Sequence, residues 1–213
     1  IIINANGMKG IGIGSGLGGV INIKRGHYEF DMKGQEGACI GSVNGDSELL
    51  IEYCDMDIYS GISNGTIIGS VNGDADIKLE NISAKLQGAG NVITGIGTIA
   101  GNSCMVRLEN VNISSNIRAK ECYGIGCRAG RTDIYIGYAA VKSVVQGKSA
   151  VAFGNSVMSA KLYCSNADVG TNAVTEFNSD IGALEKNIQL ENGRAEFFLN
   201  GQEVKRQILA ARL

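Results

Sequence analysis

Hydrophobic and polar residues alternate along much of the chain with a period of two, as in DIKLENISAKL at residues 76–86. This period is typical of a β-strand with one buried face, whereas a helix would need apolar residues every three or four positions. The frequent glycines also disfavour a helix, because each one costs about 1 kcal/mol in a helix interior relative to alanine. The pattern therefore predicts short strands along the whole chain.

The apolar positions also recur at a fixed phase of a much longer period, so that Ile23, Ile51 and Leu79 are equally spaced. The main column comprises Ile23, Ile51, Leu79, Leu108, Ile136, Tyr163 and Leu190. Two further columns follow it, one of Cys54, Ile82, Val111 and Ala139, the other of Tyr28, Met56, Ala84, Ile113 and Val141. Recurrence at such a spacing is typical of supersecondary units that stack on one another and share an elongated core.

Glycine follows the same period. The stretch ACIGSVNGDSELLI at residues 38–51 returns as TIIGSVNGDADIKL at residues 66–79. A glycine column runs through seven copies of the repeat at Gly14, Gly41, Gly69, Gly97, Gly126, Gly154 and Gly182. Glycine at a fixed phase predicts either a corner with a positive φ or a place too crowded for a side chain.

Together these patterns predict an all-β domain over residues 1–199, a single-stranded parallel β-helix of about seven coils of 27–29 residues. We expect right-handed coils from the usual chirality of parallel crossovers. Coils spaced by about 4.8 Å would form a rod about 34 Å long.

Residues 200–213 are expected to cap this rod. Asn200-Gly201 between two strand-like segments predicts a hairpin. The spacing of Val204, Ile208 and Leu209 is also compatible with an amphipathic helix. Either element would cover the open edge of the last coil.

Composition narrows the classes of function. The length of 213 residues suits one domain, and 31 glycines without any proline suit unbroken backbone ladders. Basic residues scattered along a chain of net charge −2 predict no nucleic acid partner. No apolar run reaches the roughly 18 residues of a membrane span, so we expect no membrane insertion. Because the chain begins with Ile1, we expect it to be a segment of a longer protein.

The six cysteines form neither a CxxC pair nor a pair separated by a multiple of the repeat. This spacing disfavours a zinc site and a ladder of disulfides, so we expect thiols that serve as small core side chains. Unpaired thiols are also typical of a reducing compartment, which keeps a cytoplasmic location open. The cysteines are Cys39, Cys54, Cys104, Cys122, Cys127 and Cys164.

The segments GACIGSVNGD, GTIIGSVNGD, GIGTIAGN and GIGCRAG resemble the glycine-rich GxGIGxG repeats of bacterial surface proteins, over about residues 9–190. These repeats are similar to those of right-handed parallel β-helix proteins, some of which bind acidic plant polysaccharides through calcium without cleaving them. The resemblance implies a non-catalytic module of a larger bacterial protein at the cell surface. It also implies an extended polymer as ligand, with an acidic polysaccharide as the first expectation.

The two NGD turns and the acidic residue that follows each of them are the candidate metal ligands. Stacking would place four carboxylates at one corner, where they would repel one another unless a cation or a proton intervened. Clusters of carboxylate and amide oxygens suit calcium. The predicted ligands are Asp46, Asp74, Glu48, Asp76, Asn44 and Asn72. The structural alternative is a solvated turn in which Asn-Gly-Asp only satisfies turn geometry.

Signs of catalysis are weak. Gly14, Gly16 and Gly19 match GxGxxG, but a strand pattern follows where a nucleotide-binding loop needs a helix. His27 is the only histidine and has no evident triad partner, so we expect no enzyme. Arg131 shares the column of Asp46 and Asp74, which leaves a calcium-dependent polysaccharide lyase as an alternative.

A polar column lies beside the main apolar column. It comprises Glu52, Glu80, Glu109 and Glu191, with Asn81, Asn110 and Asn192 next to the last three. Stacked amides stabilise one another by hydrogen bonds, which is the structural interpretation. The functional interpretation is a polar strip for sugar hydroxyls. A structural spacer or a protein-interaction domain is the alternative to polysaccharide binding, and the sequence leaves the oligomeric state open.

Overall fold

The computed structural model describes residues 1–155, 159–175 and 188–209, and these residues form thirteen β-strands without a helix. The strands are β1 (Ile2–Ser15), β2 (Gly19–Asn44), β3 (Ser47–Asn72), β4 (Ala75–Glu80), β5 (Ser83–Thr98), β6 (Ser103–Glu109), β7 (Asn112–Cys127), β8 (Arg131–Gly137), β9 (Ala140–Gly147), β10 (Ser149–Gly154), β11 (Ala160–Thr175), β12 (Ile188–Leu199) and β13 (Gln202–Leu209). Gly182 of the predicted glycine column lies outside the described residues.

The strands stack in parallel as a β-solenoid of about seven turns. β1 pairs with β2 and β2 with β3 along nearly their whole lengths. From β3 the stack continues along two sides of the rod, through β4, β6 and β8 on one side and through β5, β7 and β9 on the other, and both sides meet in β11. The fold class predicted from the repeat is therefore confirmed.

The glycine column lies in register through six coils, from Gly14 to Gly154. All six of these glycines have positive φ, for example 138° at Gly41 and 137° at Gly69. A Cβ atom at Gly69 would also collide with the carbonyl oxygen of Gly97 on the next coil. Glycine is thus required here both by the backbone conformation and by the close approach of the next coil.

The apolar columns form the core. Ile23, Ile51 and Leu79 lie in register and are buried, and the column continues through Leu108 and Ile136. The placement of Tyr163 in this column is wrong by one residue. Cys164 pairs with Ile136 and Leu190, so Tyr163 points outward and pairs with Tyr135.

A second corner was not predicted from the glycines, because non-glycine residues form it. Each coil has one residue with a φ between 47° and 58°, two positions after the residue that the coil contributes to the main apolar column. These residues are Arg25, Tyr53, Asn81, Asn110, Tyr138, Asn166 and Asn192. Asparagine occupies four of the seven positions because it tolerates the left-handed conformation better than most residues.

The amide ladder expected in the polar column lies at this corner. The Asn110 side chain donates a hydrogen bond to Oδ1 of Asn81 at 2.6 Å, and Asn192 donates to Oδ1 of Asn166 at 2.5 Å. Each bond joins two adjacent coils, so the amides strengthen the stack in addition to satisfying the corner geometry.

Small polar side chains line the inside of the glycine corner. Ser42, Ser70, Thr98 and Cys127 lie in one buried column. Ser42 donates to the carbonyl oxygen of Gly45 at 2.7 Å, and Thr98 donates to that of Gly73 at 2.7 Å. Buried carbonyl groups of the turns thereby gain partners.

The last coil ends in an antiparallel hairpin. β12 stacks in parallel on β11 and pairs with β13 on its other side. The turn residues Asn200 and Gly201 have φ values of 49° and 76°, as a two-residue hairpin turn requires. Residues 202–209 therefore form a strand and not the alternative helix, while residues 210–213 lie outside the described part. Within the described ranges there is no helix that could cross a membrane.

Candidate functional site

At the predicted acidic corner, the carboxylates of Asp46 and Asp74 are bound to the backbone of the following coil. Oδ1 of Asp46 accepts a hydrogen bond from the N–H of Asp74 at 2.9 Å. Oδ1 of Asp74 accepts two, from the N–H of Asn102 at 2.7 Å and from that of Ser103 at 3.0 Å. These carboxylates join successive coils, which gives them a structural role whether or not a cation binds.

The other predicted ligands lie around this pair. Asn72 donates to Oδ1 of Asn44 at 3.2 Å and to Oε1 of Glu36 at 3.3 Å. Glu48 is in register with Asp76, whose Oδ1 accepts a hydrogen bond from Arg107 at 2.6 Å. An arginine therefore neutralises one of the four carboxylates.

The fit of this corner to a metal ion is poor. Among the residues that the structure describes, no group of three or more Asp, Glu, His or Cys side chains is gathered closely enough to hold a metal ion. The calcium site built from Asp46, Asp74, Glu48, Asp76, Asn44 and Asn72 stays a prediction.

A different surface has the character of a binding site. An open groove of about 680 Å³ runs across β4, β6, β8, β11 and β12. Its floor is a column of outward-facing residues in register, Lys78, Arg107, Tyr135, Tyr163 and Gln189. We call this surface the tyrosine groove. It crosses five coils and is therefore about 19 Å long at the usual strand spacing.

Two stacked rings form the centre of the tyrosine groove. The rings of Tyr135 and Tyr163 lie with their centroids 4.9 Å apart and their planes within 5° of parallel. Tyr135 is 39% exposed and Tyr163 is half-buried. The coil spacing alone produces this stack, because identical side chains on adjacent parallel strands face the same way.

Carboxylates line one side of the groove. Glu52, Glu80 and Glu109 lie in register on successive coils, followed by Gly137, Ser165 and Glu191. The carboxylate of Glu109 occupies the space next to Gly137, because a Cβ atom at Gly137 would collide with it. Glu109 thus extends over the strand at Gly137, beside Tyr135.

The cations near these carboxylates form ion pairs. Nζ of Lys78 lies 2.7 Å from Oε1 of Glu80, and Nζ of Lys24 lies 2.8 Å from Oε2 of Glu52. The hydrogen bond from Lys24 lowers the pKa of Glu52 and raises that of Lys24. Both shifts indicate that the charged forms of this pair are favoured at neutral pH.

The sequence did not reveal the stacked tyrosines because the repeat decays there. Assigning Tyr163 to the buried column hid its match with Tyr135. Aligning DIYIG at residues 133–137 with KLYCS at residues 161–165 would have placed both tyrosines at one phase, a single repeat apart.

The cysteines are buried, free thiols, as predicted from their spacing. Burial raises the pKa of Cys39 and of Cys164 to about 12, and that of Cys122 to about 11. Thiols in this state are poor nucleophiles because the reactive thiolate is scarce at neutral pH.

The remaining candidates for chemistry are on the surface. Nε2 of His27 lies 2.9 Å from Oε1 of Glu29, and both side chains are exposed. The GxGxxG glycines lead into β2, so no helix N-terminus faces them. Arg131 is in register with Ser103 and forms an ion pair with Asp133 at 2.9 Å.

The fold defines the chain as a parallel β-solenoid with a long outward groove. Comparison with protein-family models, with curated proteins and with solved structures finds no match to this chain.

Proposed function

We propose that this chain is a non-catalytic module that binds an extended polysaccharide along the tyrosine groove. The observation that carries the proposal is the parallel, solvent-accessible pair Tyr135 and Tyr163 on adjacent coils. A pyranose ring presents C–H groups on its faces, and these groups pack favourably on the electron-rich face of an aromatic ring.

The groove also supplies polar partners. Glu109 and Glu191 lie on its flank, and Gln189 continues its floor beyond Tyr163. Carboxylate oxygens are strong acceptors for sugar hydroxyls, and an amide both donates and accepts. A mostly apolar surface with a few convergent polar groups is the usual composition of a small-molecule site.

The shape of the groove supports a polymer over a single sugar. It is open along its length and crosses five coils, from Lys78 to Gln189. A ligand lying along the rod axis would meet equivalent positions on each coil it crosses. Several weak contacts in a row would then add up to useful affinity.

Affinity electrophoresis of the folded chain in gels that contain soluble polysaccharides tests the proposal. We expect at least one polysaccharide to retard the protein, and Tyr163→Ala to weaken binding by about 10-fold or more, as for loss of a central aromatic contact. Tyr59→Ala is the matched control, because Tyr59 is 37% exposed but lies in a different outward column, beside Gln87. Equal retardation of the wild type and Tyr163→Ala in every gel would refute the proposal.

The same polysaccharides distinguish the alternatives when both retardation of the protein and release of sugar products are measured. A lyase would release unsaturated sugar ends from an acidic polymer, whereas a binding module leaves the polymer intact. A structural spacer or protein-interaction domain would bind no polysaccharide at the tyrosines.

A further inference from the structure

We infer that the tyrosine groove takes a neutral polysaccharide, one whose rings carry hydroxyl groups but neither carboxylate nor sulfate; the inference rests on the proposed function. It departs from the acidic polymer that the sequence resemblance implies, and the reason is the charge of the groove.

The cations of the groove are already paired. Lys78 lies 2.7 Å from a carboxylate oxygen of Glu80, and Arg107 donates to Asp76 at 2.6 Å. An acidic group bound to either cation would lie next to the protein carboxylate that the cation already contacts. Repulsion between the two like charges offsets the attraction of the cation, so the net gain is small.

Carboxylates outnumber cations in the groove. Its lining contains Glu80, Glu109 and Glu191 against Lys78 and Arg107. The carboxylate of Glu109 extends over the strand at Gly137, one coil beyond its own and next to the floor residue Tyr135. A negatively charged sugar stacked on the tyrosines would lie close to it and be repelled. A neutral sugar would instead donate its hydroxyl groups to the same carboxylate.

Most basic side chains of the coils that form the groove lie outside its lining. Residues 81–161 contain nine basic and three acidic side chains, and of these nine basic residues only Arg107 lines the groove. Lys120 and Lys148, for example, lie outside the groove lining. An acidic polymer attracted to them would bind away from the tyrosines, and its binding would not respond to Tyr163→Ala.

The experiment measures retardation by neutral polymers (hydroxyethylcellulose, xyloglucan, glucomannan) and by acidic ones (polygalacturonate, alginate). The proteins are the wild type, Tyr163→Ala, Tyr59→Ala and Glu109→Lys, each first checked for an unchanged thermal midpoint. We expect a neutral polymer to retard the wild type and Tyr59→Ala, and to lose about 10-fold in affinity with Tyr163→Ala. We also expect Glu109→Lys to increase retardation by an acidic polymer, because it reverses the charge beside Tyr135.

Tyr163-dependent binding of polygalacturonate or alginate without any neutral polymer would overturn the inference and leave the proposed function standing. If no polymer of either class binds in a Tyr163-dependent way, the proposed function fails and the inference fails with it. Unchanged binding of acidic polymers by Glu109→Lys would also count against the inference, since the carboxylate would then not control the choice.

Discussion

Asp74 accepts two backbone hydrogen bonds from the coil that follows it, and its own N–H donates to Asp46 on the coil that precedes it. Asp46 and Asp74 therefore form a chain of side chain to backbone contacts along the rod axis. The repeated NGD turn is explained by this bracing between coils, and the same contacts satisfy N–H groups that the corner would otherwise leave unpaired.

We predict that Asp74→Ala lowers the free energy of unfolding by about 1–3 kcal/mol, because it leaves two backbone N–H groups without their acceptor. Asp74→Asn keeps an oxygen acceptor and should cost less. Chemical denaturation monitored by circular dichroism measures both. Glu48→Gln, at an exposed position of the same corner, is the control and should change little. Equal stability of Asp74→Ala and wild type would contradict the bracing role.

We predict that calcium does not raise the thermal midpoint more than magnesium at the same concentration, because the acidic corner already has protein partners for Asp46, Asp74 and Asp76. Differential scanning fluorimetry with and without chelator measures the shift. A calcium-specific increase that disappears in the Asp46→Asn/Asp74→Asn double variant would instead establish the metal site predicted from the sequence.

We predict that Gly69→Ala destabilises the protein by about 3 kcal/mol or more, because the residue has a φ of 137° and its new Cβ would meet the Gly97 carbonyl oxygen. Gly170→Ala is the matched control, since a Cβ atom there meets nothing within 4 Å. Thermal unfolding of the two variants should differ clearly. Similar midpoints would mean that the glycine corners can relax.

We predict that the native protein does not react with a thiol reagent such as dithionitrobenzoate at neutral pH and that all six cysteines react after unfolding. Burial, which raises the pKa of Cys39 and Cys164 from 9.0 to about 12, favours their neutral form in the folded state. Their contribution to stability is fully present below the pKa of the unfolded thiol. It is lost as the pH rises from about 9 towards 12, because the unfolded chain then releases protons that the folded chain retains.

The free energy of unfolding should thus fall between about pH 8 and pH 11. The slope of this fall corresponds to the release of up to about one proton per buried thiol when the chain unfolds. Cys39→Ala and Cys164→Ala together should flatten this fall. Rapid labelling of several thiols in the native protein would show that the core opens more readily than its packing indicates.

Much of the fold was predictable because stacking imposes the same requirement on every coil. Gly41 and Gly69 must both be glycine for one steric reason, and Ile51 and Leu79 occupy one position of the core. The period of the coils therefore shows directly in the sequence. Where the coils differ in sequence, the period alone is not enough. It placed Tyr163 in the buried column, although Cys164, the next residue, occupies that position.

The candidate site was less predictable because it depends on relations that the repeat does not encode. The repeat has glutamate at Glu52, Glu80 and Glu109 but glycine at Gly137 on the next coil. This one replacement leaves the space over the strand that the carboxylate of Glu109 occupies. The ion pairs of Lys78 and Arg107 depend on side-chain conformations that the sequence does not specify. The acidic corner is a second example. The sequence predicted that Asp46 and Asp74 lie on adjacent coils, but not that their carboxylates accept hydrogen bonds from the backbone.

The register between β3 and β4 makes one coil an exchangeable unit of length. Ser47 is aligned with Ala75, so the segment from Ser47 to Asp74 fills one complete circuit of the rod. Removing or duplicating that circuit would bring like residues together at the new junction, since Asp46 and Asp74 each end the same turn. A chain of this design can thus change its length by whole circuits while its glycine corners and its main apolar column stay in register.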